Sequence, residues 1–592
     1  MCGIVGAVGL NNPRDYVCKG LKMLDYRGYD SAGLGFLDNG IKVYKDVGSV
    51  EHLMEIVPNR IDASLMIGHT RWATHGAPNQ RNTHPHVSFH GHICLVHNGV
   101  IENFKEIRGF LKEKGYSFYG ETDSEIVANL LEFNYLNTKN VLTAIKITIP
   151  ILKGSYAVTF FCDENPDTLY VIKKMSPLVV GLGKGFNLVA SDASPMIEYT
   201  NDFFELNDLE FGEITKDKVC FYDKDGNELT KPLIHKDIEL ISHDLKGYPH
   251  YMLKEIEEII PVVKSISSTY FKDDKFQFDS KLISDLNESD HIIFIACGTS
   301  YHSSLVGGRY FENYGKSASR FIASEWAFNP TFPGQKPFIV LISQSGETAD
   351  LIHCLDIIKK NNLKSLIITN TGGSTLDRNC TYSLLLHAGI EVSVASTKAY
   401  VAQVALLALL AASLKDDKKV VSDLLDSLRV VNDIQTNYKR IIQKVAEEIK
   451  DSTNIFYLGR GYDYFLSLEA SLKLKEISYI HSEAIPGGEL KHGPIALVES
   501  GLPVLVFITD PVTAASMRGN IEEVKSRGAK VYVVSTNELS RPEDTIIVDN
   551  YASYLSSVAI SSIAFYLAYY VSLAKGLNVD KPRNLAKSVT VE

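Results

Sequence analysis

Phe338-Ile339-Val340-Leu341-Ile342 runs directly into Ser343-Gln344-Ser345-Gly346-Glu347-Thr348, and this junction decides how the larger part of the chain folds. An uninterrupted apolar run bounded by a turn signal reads as a strand buried on both faces, the kind found in parallel sheets. The hydroxyls and glycine after it suit a tight strand-to-helix turn. The same grammar occurs upstream, where Ile292-Ile293-Phe294-Ile295 leads into Cys297-Gly298-Thr299-Ser300. It recurs at Ile455-Phe456-Tyr457-Leu458, followed by Gly459-Arg460-Gly461. Val504–Ile508 then matches Phe338–Ile342, and Lys530–Val534 matches Ser365–Thr369. Two similar α/β halves, each a doubly wound parallel sheet, are therefore expected, joined by a helical stretch over 415–450.

Residues 1–240 have another texture. Short β-like runs (Leu65–Gly68, Ile93–Val96, Ala157–Phe161, Leu169–Lys173, Leu188–Ala190) are interrupted by helical patterns over 102–114 and 123–137. Strands grouped with a few helices predict an α+β sandwich. The pattern breaks at 241–250, which reads as a linker. The expected organisation is 1–240, linker 241–250, 251–420, 421–580, and a tail at 581–592.

Composition narrows the function. The 592-residue chain is 45% hydrophobic and 22% charged, as expected of a multidomain globular protein. A net charge of −11 argues against nucleic acid or an anionic membrane as partner. The eight cysteines (2, 18, 94, 162, 220, 297, 354, 380) include no CxxC pair, which with no apparent secretory signal predicts a cytoplasmic protein. Ala399–Leu414 and Val558–Ala574 are strongly apolar but read as buried helices rather than membrane spans.

The chain opens Met1-Cys2-Gly3. Methionine before so small a residue is normally removed, which leaves Cys2 with both a thiol and a free α-amine. That amine titrates near pH 8 and can serve as the thiol's own base. Arg71, at the end of a strand, could grip a carboxylate bidentately. His97-Asn98-Gly99 follows the strand Cys94–Val96, and an Asn amide with a glycine N–H makes a suitable oxyanion hole. Asp123, opening a helix, could accept a hydrogen bond from an ammonium.

Cys2, Tyr26-Arg27-Gly28, Thr70-Arg71-Trp72-Ala73-Thr74-His75, Asn98-Gly99 and Glu121-Thr122-Asp123 together resemble the class II glutamine amidotransferases. The resemblance implies the αββα fold of N-terminal-nucleophile hydrolases over 1–240. It implies that Cys2 attacks the glutamine amide while Asn98 and Gly99 stabilise the oxyanion. Arg71 and Asp123 would bind the α-carboxylate and α-ammonium, with Arg27, Trp72, Thr74 and His75 lining the pocket. The histidines of 69–97 (69, 75, 84, 86, 90, 92, 97) lack an HExxH or CxxC context, so they read as loop residues supporting that pocket rather than as a metal site.

In the second part, Cys297–Ser300 and Ser343–Thr348 place hydroxyls and amides at helix N-termini on the carboxyl edge of a parallel sheet, a natural seat for a phosphate. No Walker lysine or GxGxxG accompanies them. These motifs resemble the sugar isomerase (SIS) domains. That likeness implies that Thr299, Ser300, Ser343, Gln344, Ser345, Thr348, Val394 and Ser396 contact a sugar phosphate.

Leu472-Lys473-Leu474-Lys475-Glu476 puts Lys473 and Glu476 on one helix face. With His492 in Gly487-Gly488-Glu489-Leu490-Lys491-His492 and Lys587 in the tail, the combination resembles the isomerising glutamine–fructose-6-phosphate aminotransferase family. The family implies that Lys587 forms a Schiff base with the ketose, His492 helps open the ring, and Glu476 shuttles a proton between C1 and C2 with Lys473 beside it. It further implies an internal ammonia passage gated by Trp72, a homodimer in which His492 can reach the neighbouring site, and a place at the start of amino-sugar biosynthesis. No cofactor and no metal are implied. Neither the acidic ribose-phosphate loop nor the Ser-Gly-Gly-x-Asp-Ser turn of other class II amidotransferases is found.

Overall fold

The structure is a computed structural model that describes residues 2–25, 28–72, 76–235 and 245–589. Residues 241–244 of the expected linker and 590–592 of the expected tail lie outside it. The chain divides into two compact units, Met1–Ser242 with Ser588–Glu592, and His243–Lys587.

The first unit contains two antiparallel sheets. Near the middle of the eight-stranded sheet, β1 (Gly3–Val8) pairs with β2 (Leu65–Arg71) on one side and with Asn187–Ala190 on the other. The seven-stranded sheet is built around β3 (Ile93–Ile101), whose ladder against β4 (Gly154–Cys162) is unbroken from Ile93↔Cys162 to Ile101↔Gly154. Between the sheets lies an apolar layer. Ile4, Val8, Leu65 and Ile67 meet Cys94, Val96, Ala157 and Phe161, all buried. A period of two along each strand puts one set of side chains into this layer and the other against helices. Helix Pro13–Met23 covers the eight-stranded sheet through Val17 and Leu21. Helix α1 (Asp123–Thr138) covers the seven-stranded one through Ile126, Leu130 and Leu131. The layers therefore run α–β–β–α.

In the second unit, β5 (His291–Ala296), helix α2 (Gly298–Asn313), β6 (Pro337–Ser343), helix α3 (Ala349–Lys360) and helix α4 (Lys398–Ser413) belong to the first half. Strand β7 (Asn454–Gly459), helix α5 (Tyr462–Ser478), β8 (Pro503–Ile508) and helix α6 (Ser561–Ala574) belong to the second. Each half holds a five-stranded parallel sheet with the same strand order. In chain numbering within each half, β5 and β7 stand second and β6 and β8 third across the sheet.

Strands this apolar on both faces need helices on both sides, and the two halves share the inner layer. Ile292, Phe294, Val340, Tyr457 and Phe507 all join one core with α4 and α6. Helix α4 is buried around nearly its whole circumference, in keeping with its run of alanine, leucine and valine. The apolar stretch Ser553–Ala574, with mean hydropathy 1.5, is likewise mostly buried in this core.

Candidate functional site

Two groups of chemically capable residues stand out, one in each unit. In the first, Gly3 lies opposite Thr70 on the β1–β2 ladder, so Cys2 and Trp72 meet at its mouth. The Trp72 N–H donates to Cys2 Sγ (3.3 Å), and Sγ lies 3.6 Å from the Trp72 carbonyl. Burial pushes the Cys2 thiol up, while the Trp72 amide and the Arg71 guanidinium pull it back. Arg71 and Asp123 are both buried and both act electrostatically on this thiol. A cation and a carboxylate beside one nucleophile complement the α-carboxylate and α-ammonium of an amino acid. Arg71 Nη2 donates to the Gly76 carbonyl (3.1 Å), and Asp123 Oδ2 accepts the Ile101 N–H (2.8 Å). Asn98 Nδ2 donates to the Cys2 carbonyl and to Ser191 Oγ, both at 2.9 Å. Arg27, Thr74 and His75 lie outside the described residues.

Asn98 and Gly99 do not follow the strand as the sequence suggested; they lie within β3, paired with Ala157 and Tyr156. The ladder continues because backbone pairing is indifferent to side-chain polarity, so a polar strand end resembles a turn in the sequence. Gly99 has φ +132°, and a Cβ there would sit 2.0 Å from the Ser155 carbonyl oxygen. Only glycine fits this strand position. The histidines are corrected too: His69 lies in β2, His97 in β3 and His86 in a two-residue strand, rather than in loops. Among the described residues, the one His/Cys/Asp/Glu triad with ligand atoms within 4.8 Å of one another is His92, Asp163 and Glu164.

In the second unit, the face of α5 carries Glu469, Lys473 and Glu476. Lys473 Nζ lies 2.6 Å from Glu476 and 3.4 Å from Glu469, with its side chain 1% exposed. Burial works against the Lys473 charge, but the two carboxylates outweigh it and hold the ammonium above its ordinary value. Burial likewise raises the Glu476 carboxyl, against the pull of Lys473.

The facing helix α2 completes this group. Lys473 donates to Thr299 Oγ1 (3.0 Å), Thr299 Oγ1 donates to Glu469 (3.0 Å), and His302 Nδ1 is 2.7 Å from Glu469. Ser300 Oγ accepts from Gln403 of α4 (3.0 Å).

Lys587 enters the same field. Its ammonium lies 2.6 Å from Glu391 and donates to Ser396 Oγ (3.1 Å). Glu391 also accepts the Thr397 and Ala399 N–H groups, and although burial opposes it, Lys587 and these amides hold its carboxyl low. Lys587 acts on Glu476 and Glu391 acts on Lys473, so the two ion pairs share one electrostatic environment. Val394 contributes its backbone, donating to the Asp580 carbonyl (3.0 Å).

The turn after β6 is internally braced. Ser343 Oγ bonds Thr348 Oγ1 (2.8 Å) and accepts the Gly346 N–H (3.0 Å), while Ser345 Oγ accepts the Glu347 N–H (3.2 Å). Gly346 has φ +66°, and a Cβ there would lie 1.9 Å from Ser374 Oγ. The Gln344 carbonyl accepts the Asn370 N–H (3.0 Å), and Asn370 Nδ2 reaches the Gly389 carbonyl (2.7 Å). Asn370 thus ties the Ser343–Thr348 turn to the segment that carries Glu391 and Ser396, along the carboxyl edge of adjacent parallel strands. His492 ends a short 3₁₀ turn, Gly487–His492, and is exposed. Among the described residues, no hydrogen bond or ion pair joins it to the Lys473–Glu476–Lys587 group.

Sequence reasoning missed Glu391, Glu469 and His302. Glu391 lies in an irregular segment that carries no periodic signal. Glu469 was legible, since 469, 473 and 476 fall at i, i+4 and i+7 on one helix face.

A half-buried thiol with a cation and a carboxylate acting on it, together with paired parallel α/β halves, matches a glutamine amidotransferase joined to two sugar isomerase domains. A family model described as a glutamine amidotransferase domain matches residues 69–198, and one described as the SIS domain matches 285–413 and again 448–574. Curated relatives named glutamine–fructose-6-phosphate aminotransferase [isomerizing] include those of Streptococcus mutans, 44% identical, and Bacillus licheniformis, 43% identical, each matched over the full length of both chains. The C-terminal domain of glucosamine-fructose-6-phosphate aminotransferase from Francisella tularensis is 32% identical. It covers 57% of this chain and all of its own, with a TM-score of 0.54. The chain belongs to the isomerising glutamine–fructose-6-phosphate aminotransferases.

Proposed function

We propose that the protein converts fructose 6-phosphate and glutamine to glucosamine 6-phosphate and glutamate. The observation that carries this reading is the convergence of Lys587, Glu476 and Lys473 beside a hydroxyl-rich turn on a parallel-sheet edge. A module that merely bound sugar phosphate would not need a buried amine and a cation-paired carboxyl together.

In the first unit, Cys2 Sγ attacks the glutamine δ-carbon while the Cys2 amine, exposed once Met1 is removed, takes the thiol proton. The oxyanion is met by the Asn98 amide and the Gly99 N–H. Ammonia leaves, and water cleaves the thioester to glutamate. Arg71 and Asp123 hold the substrate's α-groups, and Arg27, Trp72, Thr74 and His75 contribute to glutamine binding.

In the second unit, Thr299, Ser300, Ser343, Gln344, Ser345, Thr348, Val394 and Ser396 hold the sugar phosphate. Lys587 adds to the C2 carbonyl of the open-chain ketose and expels water as the Schiff base forms. Ammonia passed from the first site displaces Lys587 and yields the fructosimine. Glu476 then takes a proton from C1 and returns it to C2, with Lys473 stabilising its carboxylate. The exposed His492 supports its assignment to ring opening in the site of a second subunit, in a cytoplasmic homodimer.

The test is incubation with glutamine and fructose 6-phosphate, with glucosamine 6-phosphate and glutamate as readouts, beside Cys2→Ala and Lys587→Ala. Glutamate without amino sugar in the unaltered protein refutes the synthase reading. Glutamine use by Cys2→Ala refutes the nucleophile.

A further inference from the structure

We propose that His69 is a positioning residue for glutamine hydrolysis, fixing the Asn98 side-chain amide through a hydrogen bond donated by its Nε2. The proposal rests on the oxyanion role given to Asn98 above. It begins with strand alternation. Leu65 and Ile67 of β2, and Cys94 and Val96 of β3, fill the layer between the sheets. A period of two carries His69 and Asn98 into the same layer, at the end where it reaches Cys2.

There His69 Nε2 lies 3.0 Å from the His97 carbonyl and 3.1 Å from Asn98 Oδ1. Both partners are acceptors, so Nε2 carries the proton and His69 is a bifurcated donor. The amide orientation follows from the opposite side as well. Asn98 Nδ2 faces the Cys2 carbonyl, which can only accept, and Ser191 Oγ, which is also engaged by the Ile4 N–H at 2.8 Å. A flipped amide would set its oxygen against a carbonyl and its nitrogen against an N–H. His69 therefore keeps the donor end of Asn98 toward the nucleophile's residue.

The surroundings keep His69 in the required form. It is fully buried, and its ring lies against His84 at 4.0 Å between centroids, the two planes tilted by 38°; His84 in turn meets His86 at 4.7 Å. Neither His69 Nδ1 nor either ring nitrogen of His84 has a hydrogen-bond partner among the described residues. Burial, with Arg71 and His97 adding to it, pushes the His69 imidazole down to about 3, so it stays neutral at working pH. An uncharged donor orients the amide without placing a competing charge beside the developing oxyanion.

Glutamate release by the full-length enzyme, with fructose 6-phosphate present, tests the idea through His69→Phe, His69→Gln and Asn98→Ala. His69→Phe is expected to lower kcat about a hundredfold, the scale of one lost oxyanion donor, with KM for glutamine changed less than about twofold. His69→Gln, whose amide nitrogen can replace Nε2, is expected to recover kcat to within about tenfold of the unaltered enzyme. In the Asn98→Ala background, His69→Phe should cost less than about twofold, because the residue it acts through is gone. Equal losses in both backgrounds, or a loss confined to KM, would overturn the His69 assignment while leaving Asn98 in place. An unchanged kcat in Asn98→Ala would overturn the oxyanion reading and the proposal with it. Iodoacetamide alkylation of Cys2 at the unaltered rate verifies that each variant retains the folded pocket.

Discussion

Lys587 and Glu391, 196 residues apart in sequence, form an ion pair at 2.6 Å with side chains 4% and 0% exposed. A lysine amine can attack a carbonyl only once its ammonium proton has passed to another group. Lys587→Arg preserves the pair but offers no nucleophilic amine. Amino-sugar formation should vanish while glutamate release and thermal stability persist. Lys587→Met, which strands a buried carboxylate, should cost about 3–5 kcal/mol as well. Calorimetry beside both assays distinguishes the two variants; amino-sugar synthesis by Lys587→Arg would end the Schiff-base role.

Glu469 and Glu476 compete for Lys473, and the negative charge of Glu469 is one cause of the raised Glu476 carboxyl. Glu469→Gln removes that charge while retaining an acceptor for Thr299. The Glu476 carboxyl should then titrate lower. The acidic limb of the pH profile for glucosamine 6-phosphate formation is expected to move to lower pH, with no matching change in glutamine hydrolysis. An unmoved limb would separate Glu476 from that ionisation.

Glu255 accepts the Val392 and Ser393 N–H groups on one oxygen, while its other oxygen is buried without a partner among the described residues. Burial, and then Glu391, raise this carboxyl far above its ordinary range, against Lys587, the Val392 amide and Lys398. The folded protein thus retains a proton that the unfolded chain releases near pH 4.3, so stability falls as pH rises above that value. Glu255→Gln mimics the protonated acid and removes this slope. Relative to the unaltered protein it should gain on the order of 1 kcal/mol or more between pH 5 and 8, read from urea midpoints at each pH. Parallel pH curves for the two proteins would refute a protonated Glu255.

Gly99→Ala meets both a left-handed backbone and the Ser155 carbonyl. Strain of this kind costs about 1–3 kcal/mol before any clash is relieved. Glutamate release is expected to fall sharply while the second unit melts unchanged, because the distortion lies beside Asn98. A fully active Gly99→Ala would show that the β3 end tolerates a side chain.

How much the sequence revealed depended on what each residue was selected for. β5, β6, β7 and β8 were legible because strands covered on both faces must be apolar throughout. The inter-sheet face of β3 was legible only as far as Val96, since Asn98 and Gly99 are not apolar and break the alternation that marks a strand. His69 was hidden for the same reason: it occupies an alternation position where an apolar residue would be expected, so its strand ended too early on inspection. Glu391 had no period to betray it, and only the folded loop brings it to Lys587.

The repeated strand order of the second unit has a further consequence. Duplication normally creates redundancy, with one copy free to vary while the other preserves the work. Here the copy after β5 keeps Thr299 and Ser300, and the copy after β7 supplies Glu469, Lys473 and Glu476, so both copies meet in a single shared centre. Neither can act as a spare for the other. Twins in architecture, they are bound to be inherited as one.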